Sequence, residues 1–442
     1  MHPLADLPLW TLFPFVALLL AIALLPLAAP HFWESHRNKA AVAAAVSLPI
    51  LLYFPLAFGR SGVHALADKG AEYVSFLCLL GSLFVVTGGI RVAGSLSGTP
   101  LANTAALGLG AVLANFIGTT GASVLLIRPL LRANAARVRK AHIVLFFIFV
   151  VSNCGGLLTP LGDPPLFLGF LKGVPFEWTL RLWKPWLLVN GALLAIFHVW
   201  DEVVLGREER ERPGSQLEEV QRHEPLRVEG LHNAAFLLGI VACIFASGRG
   251  LGSGGAPWPF GMQEGLMLAL ALGSFVTTPA AVRDRNGFTF GPIVEVAVLF
   301  AGIFATMAPV LLALNANAAS LGLSKPWHFY WVTGALSSVL DNAPTYLTFA
   351  AVAAGLEGVP LDGRYLAGLL ARGPEAARLL EAISMGAVMM GANTYIGNGP
   401  NFMVKAIAEQ SGVAMPSFAG YAGYAAVILV PIFAVVTVAF LR

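Results

Sequence analysis

Residues 152–166 read SNCGGLLTPLGDPPL, and residues 392–403 read ANTYIGNGPNFM. Both stretches lie inside long apolar runs where a continuous helix is expected, yet both carry helix-breaking glycine and proline among polar residues. Backbone groups freed by such a break each cost several kcal/mol in lipid unless protein, water or an ion satisfies them. The repeated pattern therefore predicts two interrupted membrane helices that face one polar site.

The composition places the chain in the multi-span membrane class. Of its 442 residues, 57% are hydrophobic and 12% are charged, against about 25% charged residues in a soluble domain. The net charge of +3 gives no reason to expect a nucleic-acid partner. Three cysteines, far apart in apolar runs, favour neither disulfides nor a zinc site. Without a Walker loop, HExxH or GxSxG motif, we predict neither an ATP-driven pump nor an enzyme, and no cofactor.

Full spans are predicted wherever an apolar window approaches about 20 residues. They cover 9–29, 40–59, 72–92, 142–172, 184–204, 232–248, 259–282, 291–315, 377–410 and 421–441. Two further apolar stretches, 102–132 and 327–356, are interrupted by the polar clusters NFIGTTGAS and LDNAPTY. Because neither half of these stretches is long enough to span, we predict two re-entrant hairpins. The predicted fold class is an all-α polytopic membrane protein.

A charged stretch at 206–231 divides the chain into repeats at 1–205 and 232–442. Each part contains three spans, a hairpin, a broken span and a final span. Five full crossings, an odd number, give the two parts opposite orientations, so they are inverted repeats of the kind typical of secondary transporters. The positive-inside rule places the basic residues between 128 and 140 in the cytoplasm. We therefore predict a solvated cytoplasmic linker, both termini outside, and a prokaryotic-type inner (plasma) membrane.

Three acidic residues are candidate proton carriers: Asp163 in the first break, Asp341 at the second hairpin tip and Glu295 near the start of a span. Ionisable residues at membrane depth are functional candidates by default. A carboxylate in a partly dry cavity can exchange a proton for a cation. Asp163 and Asp341 also suit helix N-caps, so capping and ion binding both stay open for them. For Glu295 an interfacial position stays open.

The two broken stretches and the hairpin tips at 115–123 and 340–346 resemble the ion transporter superfamily. That group includes divalent anion/sodium symporters, citrate carriers, arsenite-permease-like proteins and NhaD-type sodium/proton antiporters. The resemblance spans nearly the whole chain and implies an elevator-type homodimer, in which a transport domain moves against a scaffold domain. The tips lack clear Ser-Asn-Thr triplets, and two acids lie near the expected site. Both departures bring the chain closer to NhaD-type exchangers than to dicarboxylate symporters.

The resemblance implies ion or substrate binding by polar residues at the hairpin tips and breaks. These are Asn115, Thr119, Thr120, Ser152, Asn153, Asp341, Asn342, Thr345, Asn393 and Thr394. Thr159, Asp163 and Asn398 join the candidates because they lie within the breaks. The predicted Na⁺ ligands are Ser152, Asn153, Asn393 and Thr394. Oxygen atoms of this kind suit hard cations.

These features predict a secondary transporter that exchanges Na⁺ or Li⁺ for H⁺ in a lipid bilayer. Na⁺-coupled symport of citrate or a dicarboxylate is the alternative, in which the N-termini of half-helices bind the anion. A channel or oxyanion permease without a coupling ion is a third hypothesis. Na⁺-linked proton movement, Na⁺-dependent anion uptake and rapid Na⁺-independent flux distinguish the three.

Overall fold

A computed structural model describes residues 7–94, 97–211, 225, 227–256 and 258–442 of the chain, and these residues are almost entirely helical. The helices up to the central charged stretch are α1 (Phe13–Ala28), α2 (Pro30–Glu34), α3 (His36–Phe58), α4 (Arg60–Gly88), α5 (Pro100–Ala133), α6 (Ala141–Val150), α7 (Pro164–Leu171) and α8 (Trp183–Glu211). The later helices are α9 (Asn233–Gly248), α10 (Met262–Thr277), α11 (Ala280–Arg285), α12 (Gly291–Ala316), α13 (Pro326–Ser337), α14 (Asn342–Leu356), α15 (Tyr365–Ala371), α16 (Pro374–Met390), α17 (Gly399–Gln410) and α18 (Phe418–Phe440).

Short 3₁₀ helices and one small sheet complete the described structure. The 3₁₀ helices are Leu9–Leu12, Cys154–Leu157, Phe176–Leu182, Ala318–Leu321 and Gly391–Asn393. Strand β1 (Arg91–Ala93) pairs antiparallel with β2 (Arg227–Glu229). Among the described residues, 7 helices are long and apolar enough to cross a membrane, and three shorter apolar helices accompany them. The predicted class, an all-α multi-pass membrane protein, is confirmed.

The first interrupted stretch is a helical hairpin. Within α5, Gly118 has φ 75° and ψ 156°, a left-handed conformation that glycine adopts without steric cost. The side chains of Asn103 and Asn134 exchange hydrogen bonds of 3.0 and 2.8 Å. In a straight helix these residues would lie about 45 Å apart. The chain therefore turns back at Gly118. The second hairpin consists of α13 and α14, which pack against each other, and its tip lies at 338–341.

Both predicted broken spans are interrupted, and both use the same close crossing of the backbone. The first break separates α6 from α7, and the second separates α16 from α17. A Cβ atom on Gly162 would lie 2.1 Å from the carbonyl oxygen of Gly156, and one on Gly397 would lie 2.5 Å from that of Gly391. Any side chain at these positions would collide with the backbone, so the glycines in the sequence decide how the helices break.

The helices pack as two groups. The first group consists of α1, α3, α4, α9, α10 and α12, which contact one another. The second consists of the two hairpins, the two broken helices, α8 and α18. The groups meet where α12 packs on α14 and α4 packs on α5. All interrupted elements therefore lie in one group, and the first group provides the surface against which they pack.

The charged stretch at 206–231 differs from the predicted solvated linker. Helix α8 continues to Glu211, and β2 lies in the stretch as well. Glu208 is only 3% exposed, because its carboxylate accepts hydrogen bonds from Arg137 Nε at 2.8 Å and from the backbone N–H of Arg139 at 2.6 Å. The expectation of full solvation is wrong for Glu208, since its partners lie far away in sequence. Residues 212–224 and 226 lie outside the described residues.

Glu208 belongs to a buried ion network at the base of the first hairpin. The Asp201 carboxylate accepts hydrogen bonds from Arg137 Nη2 at 2.8 Å and Asn103 Nδ2 at 2.9 Å. It also lies 2.9 Å from His142 Nε2. Arg137 is 2% exposed and His142 is 6% exposed. His142, near the start of α6, is therefore a member of the network that joins α5, α6 and α8.

Candidate functional site

Asp163 lies at the centre of the site, directly before α7, and is 1% exposed. Its Oδ1 accepts hydrogen bonds from Thr119 Oγ1 at 2.7 Å and Asn398 Nδ2 at 3.1 Å. Its Oδ2 accepts a hydrogen bond from Asn342 Nδ2 at 2.5 Å. The three donors come from the first hairpin, the second broken helix and the second hairpin. One carboxylate thus connects all four interrupted elements.

The Asp163 carboxylate has no cationic side chain as a partner among the residues that the structure describes. The buried ion pairs lie elsewhere, as in Asp201 with Arg137 and Glu72 with Lys172. An isolated ionised carboxylate is costly to bury, even when neutral donors surround it. A proton or a bound cation offsets that cost. The same two oxygen atoms can therefore hold either ion in turn.

Asp163 and Asn398 occupy corresponding places in the two breaks. Each directly precedes a half-helix, with φ and ψ of −145° and 145° for Asp163 and −153° and 141° for Asn398. Neither side chain caps the helix that follows it. The sequence left open whether Asp163 caps α7, and the structure shows its carboxylate directed to other elements instead. The half-helices α7 and α17 thus begin at the same site.

A threonine in each break donates a hydrogen bond to the neighbouring hairpin. Thr159 Oγ1 donates to the carbonyl oxygen of Asn115, and Thr394 Oγ1 donates to that of Ser338, at 2.5 Å in each case. Asn115 Nδ2 in turn donates to the carbonyl oxygen of Gly155 at 2.7 Å. These candidate residues hold the hairpin tips against the breaks, which places the tips beside Asp163.

Asp341 lies at the tip of the second hairpin, where it caps α14. Its Oδ1 accepts a hydrogen bond from the backbone N–H of Ala343 at 3.0 Å. Thr345 Oγ1 bonds to the carbonyl oxygen of Asp341 at 2.9 Å, within the same helical turn. The next residue, Asn342, reaches Asp163 instead. The two candidate acids therefore differ in position: Asp163 is central, and Asp341 is at the edge of the site.

Ser152 and Asn153 join the first break to the second broken helix. Asn398 Nδ2 donates to the carbonyl oxygen of Ser152 at 3.1 Å and to Asn153 Oδ1 at 3.3 Å. Asn153 Nδ2 donates to Asn401 Oδ1 at 2.7 Å, and Asn401 Nδ2 donates to the carbonyl oxygen of Thr394 at 2.9 Å. Asn401 was not among the predicted site residues. Its position three residues after Asn398, on the same helical face, is the signal that could have found it.

Asn393 and Thr394, predicted to share a Na⁺ ion with Ser152 and Asn153, bond to the second hairpin in this structure. Asn393 Nδ2 donates to Ser338 Oγ at 2.8 Å. The Oδ1 atom of Asn393 is buried and has no hydrogen-bond donor within the described chain. An unpaired buried oxygen of this kind is a possible ligand for a hard cation.

Two candidates lie away from the centre. Glu295 in α12 pairs with Lys39 of α3 at 2.5 Å, and its side chain is 40% exposed. The structure therefore places Glu295 in the first helix group and outside the site. Thr120 lines a largely apolar cavity of about 70 Å³ between the first hairpin tip and helices α4 and α12. That cavity lies where the two helix groups meet.

Two hairpins and two broken helices that meet deep inside a multi-span helical protein define a membrane transporter. The sequence matches the family described as "Putative citrate transport" over residues 4–441, so the chain belongs to that family. It is a family of transporters and not of enzymes, and the predicted resemblance to the ion transporter superfamily, which includes citrate carriers, is confirmed. No curated protein matches the chain.

We expect Gly397→Ala to destabilise the protein by about 1–3 kcal/mol, the range found for overpacked interiors. The added Cβ would lie 2.5 Å from the carbonyl oxygen of Gly391 and 2.7 Å from that of Ser337. Gly399→Ala is the matched control, because a Cβ there meets nothing within 4 Å. Thermal unfolding of the two variants in detergent measures the difference. Equal melting temperatures would contradict the close crossing.

Proposed function

We propose that the protein is a secondary transporter that exchanges Na⁺ or Li⁺ for H⁺ at Asp163. The observation that carries this proposal is the Asp163 carboxylate, 1% exposed, with three neutral donors and, among the described residues, no basic partner. A carboxylate in that position is neutralised by a proton or by a cation, but not by both at once. Competition between the two ions for the same oxygens is the minimum requirement for exchange.

The residues around Asp163 support this chemistry by position. Thr119, Asn342 and Asn398 donate hydrogen bonds that fix the orientation of the carboxylate. Asn342 Oδ1 is buried and has no donor among the described residues, so it can add a neutral oxygen ligand beside the carboxylate. Hard oxygen ligands suit small cations such as Na⁺ and Li⁺.

Alternating access would follow from movement of the second helix group against the first. The three residues that donate hydrogen bonds to the Asp163 carboxylate, Thr119, Asn342 and Asn398, all belong to the second group, so these parts of the site would move as a unit. One contact between the groups is an ion pair between Glu72 of α4 and Lys172, directly after α7. This pair would break when the second group moves. The two-group packing thus supports the elevator-type mechanism that we propose.

The proposal includes a homodimer in the inner (plasma) membrane, with both termini outside and the charged stretch cytoplasmic. The recurrence of the same element order on both sides of residues 206–231 supports two inverted repeats. Cross-linking in native membranes tests the dimer. Labelling of terminal tags with a membrane-impermeant reagent in right-side-out vesicles tests the orientation.

Proteoliposomes that enclose a pH dye test the exchange directly. A Na⁺ or Li⁺ pulse outside should make the interior more alkaline, because entering cations would displace protons outwards. K⁺ pulses and protein-free liposomes are the controls. If the purified protein produces no proton movement with either Na⁺ or Li⁺, the exchange proposal is wrong.

Cation-coupled citrate transport is the second candidate function, and the family description favours it. The N-termini of α7 and α17 both open at the site, and helix N-termini attract anions. Uptake of labelled citrate with and without Na⁺ separates this function from exchange. Na⁺-dependent citrate uptake without proton movement would replace the first proposal by the second.

We expect Glu295→Gln to keep the wild-type rate of Na⁺-linked proton movement per folded protein. The reason is that the Glu295 carboxylate pairs with Lys39 in the first helix group, whereas the hydrogen bonds to Asp163 among the described residues come from Thr119, Asn342 and Asn398. The measurement is the same dye assay, normalised to the monodisperse fraction on size exclusion. A loss of coupling in folded Glu295→Gln protein would restore Glu295 as a proton carrier.

A further inference from the structure

The two breaks correspond residue by residue around Asp163 and Asn398. Thr159 and Thr394, each four residues earlier, make the same hydrogen bond to a hairpin, with equal lengths of 2.5 Å. The backbone angles of Asp163 and Asn398 agree within about 10°. The two positions thus offer the same geometry to a side chain, yet one carries a carboxylate and the other an amide.

The hairpin tips correspond in the same way. The carbonyl oxygens of Asn115 and Ser338 accept the hydrogen bonds from the two threonines of the breaks. Thr119 lies four residues after Asn115, and Asn342 lies four residues after Ser338. Thr119 and Asn342 both donate to Asp163, one to each carboxylate oxygen. Corresponding groups from both halves therefore surround a single charge near the centre.

Oxygen acceptors surround the amide nitrogen of Asn398. Its Nδ2 lies 3.1 Å from Asp163 Oδ1, 3.1 Å from the carbonyl oxygen of Ser152 and 3.3 Å from Asn153 Oδ1. An NH₂ group that faces three acceptors occupies the place that a cation would take among oxygen ligands. A carboxylate at 398 would add a fourth acceptor and no donor, so it would need a second cation or proton there.

We propose that Asn398 is a specificity-determining residue: its amide keeps the pair of corresponding positions 163 and 398 at one negative charge, and that one charge can reside at either position. The inference rests on the proposed exchange at Asp163. The number of carboxylates at positions 163 and 398 then determines the charge of the cation that the site can bind. One carboxylate balances a monovalent cation or a proton, and two carboxylates balance a divalent cation.

Four proteins test the proposal: wild type, Asp163→Asn, Asn398→Asp and the double variant Asp163→Asn/Asn398→Asp. They carry one, none, two and one carboxylate at these two positions. We expect the double variant to recover Na⁺-linked proton movement to within about tenfold of wild type, a factor that corresponds to about 1.4 kcal/mol. Asp163→Asn should stay at the level of protein-free liposomes.

Cation binding gives a readout that does not depend on transport. We expect Mg²⁺ or Ca²⁺ to raise the melting temperature of Asn398→Asp by several degrees, because a ligand that binds the folded state stabilises it. The same ions should leave wild type and the double variant unchanged, whereas Na⁺ or Li⁺ should stabilise both.

The outcomes separate this inference from the proposed function. If wild type shows no Na⁺- or Li⁺-linked proton movement, the exchange proposal fails. Alternatively, wild type exchanges while the folded double variant is as inactive as Asp163→Asn. In that case the position of the carboxylate decides activity and the number of carboxylates does not, so the inference is overturned while the exchange proposal stands. A double variant that does not fold when Asp163→Asn folds overturns it too. So does an Asn398→Asp protein that divalent cations do not stabilise.

Discussion

We expect Asp163→Asn to abolish Na⁺- and Li⁺-linked proton movement, reducing it to the level of protein-free liposomes. Asparagine has nearly the shape of aspartate but neither carries a negative charge nor takes up a proton near neutral pH. The variant should still fold, because it loses about one hydrogen bond to Thr119, Asn342 or Asn398, worth about 1 kcal/mol. The internal pH dye reports the movement, and size exclusion reports the fold.

Asp341→Asn is the matched control for Asp163→Asn, since both changes remove one carboxylate near the site. Asparagine caps helices about as well as aspartate, so it can keep the hydrogen bond from the Ala343 N–H. We therefore expect Asp341→Asn to retain measurable exchange. The opposite pattern, with exchange lost in Asp341→Asn and kept in Asp163→Asn, would move the proton site to the tip of the second hairpin.

We expect Arg137→Met to have the largest effect on stability, a loss of about 3–5 kcal/mol, the range for removing one partner of a buried ion pair. Arg137 bonds to Asp201 and Glu208, and the side chains of Arg137, Asp201 and Glu208 are 0%, 0% and 2% exposed. Without the guanidinium, two buried carboxylates lose their strongest partner. Unfolding in detergent and the monodisperse yield both measure the loss.

Arg139→Gln is the control for Arg137→Met, since the two arginines are close in sequence. Arg139 pairs with Glu211, and their side chains are 48% and 58% exposed. Exposed pairs contribute about 0–1 kcal/mol, so the control should unfold close to wild type. If both variants lost the same stability, the network around Asp201 would not be the structural anchor that its burial indicates.

The hairpins and breaks could be predicted from the sequence because their causes are local. Glycine and proline inside an apolar run cannot continue a helix, and lipid does not satisfy the backbone groups that a break exposes. The breaks at 151–163 and 391–398 lie where the sequence indicates them. Gly118 is the residue at which the first hairpin turns, inside the polar cluster that predicted the hairpin.

The roles of the acidic residues could not be predicted in the same way. Asp163 and Asp341 both directly precede a helix. From the sequence alone, each of them can be a helix cap or an ion ligand. The structure distinguishes them: Asp341 bonds to its own helix, while Asp163 bonds to three other elements. Glu295 lies near the start of its span and pairs with Lys39 instead of a residue of the site.

The sequence by itself determined that the chain spans a membrane, where its helices break and that polar groups line those breaks. These properties follow from hydropathy and from the backbone limits of glycine and proline, which act within a few residues. Only the tertiary structure decided which polar groups meet. Asn342 and Asp163 are 179 positions apart and yet form a hydrogen bond, because packing of the two hairpins and two broken helices, and not neighbourhood in the chain, brings them together.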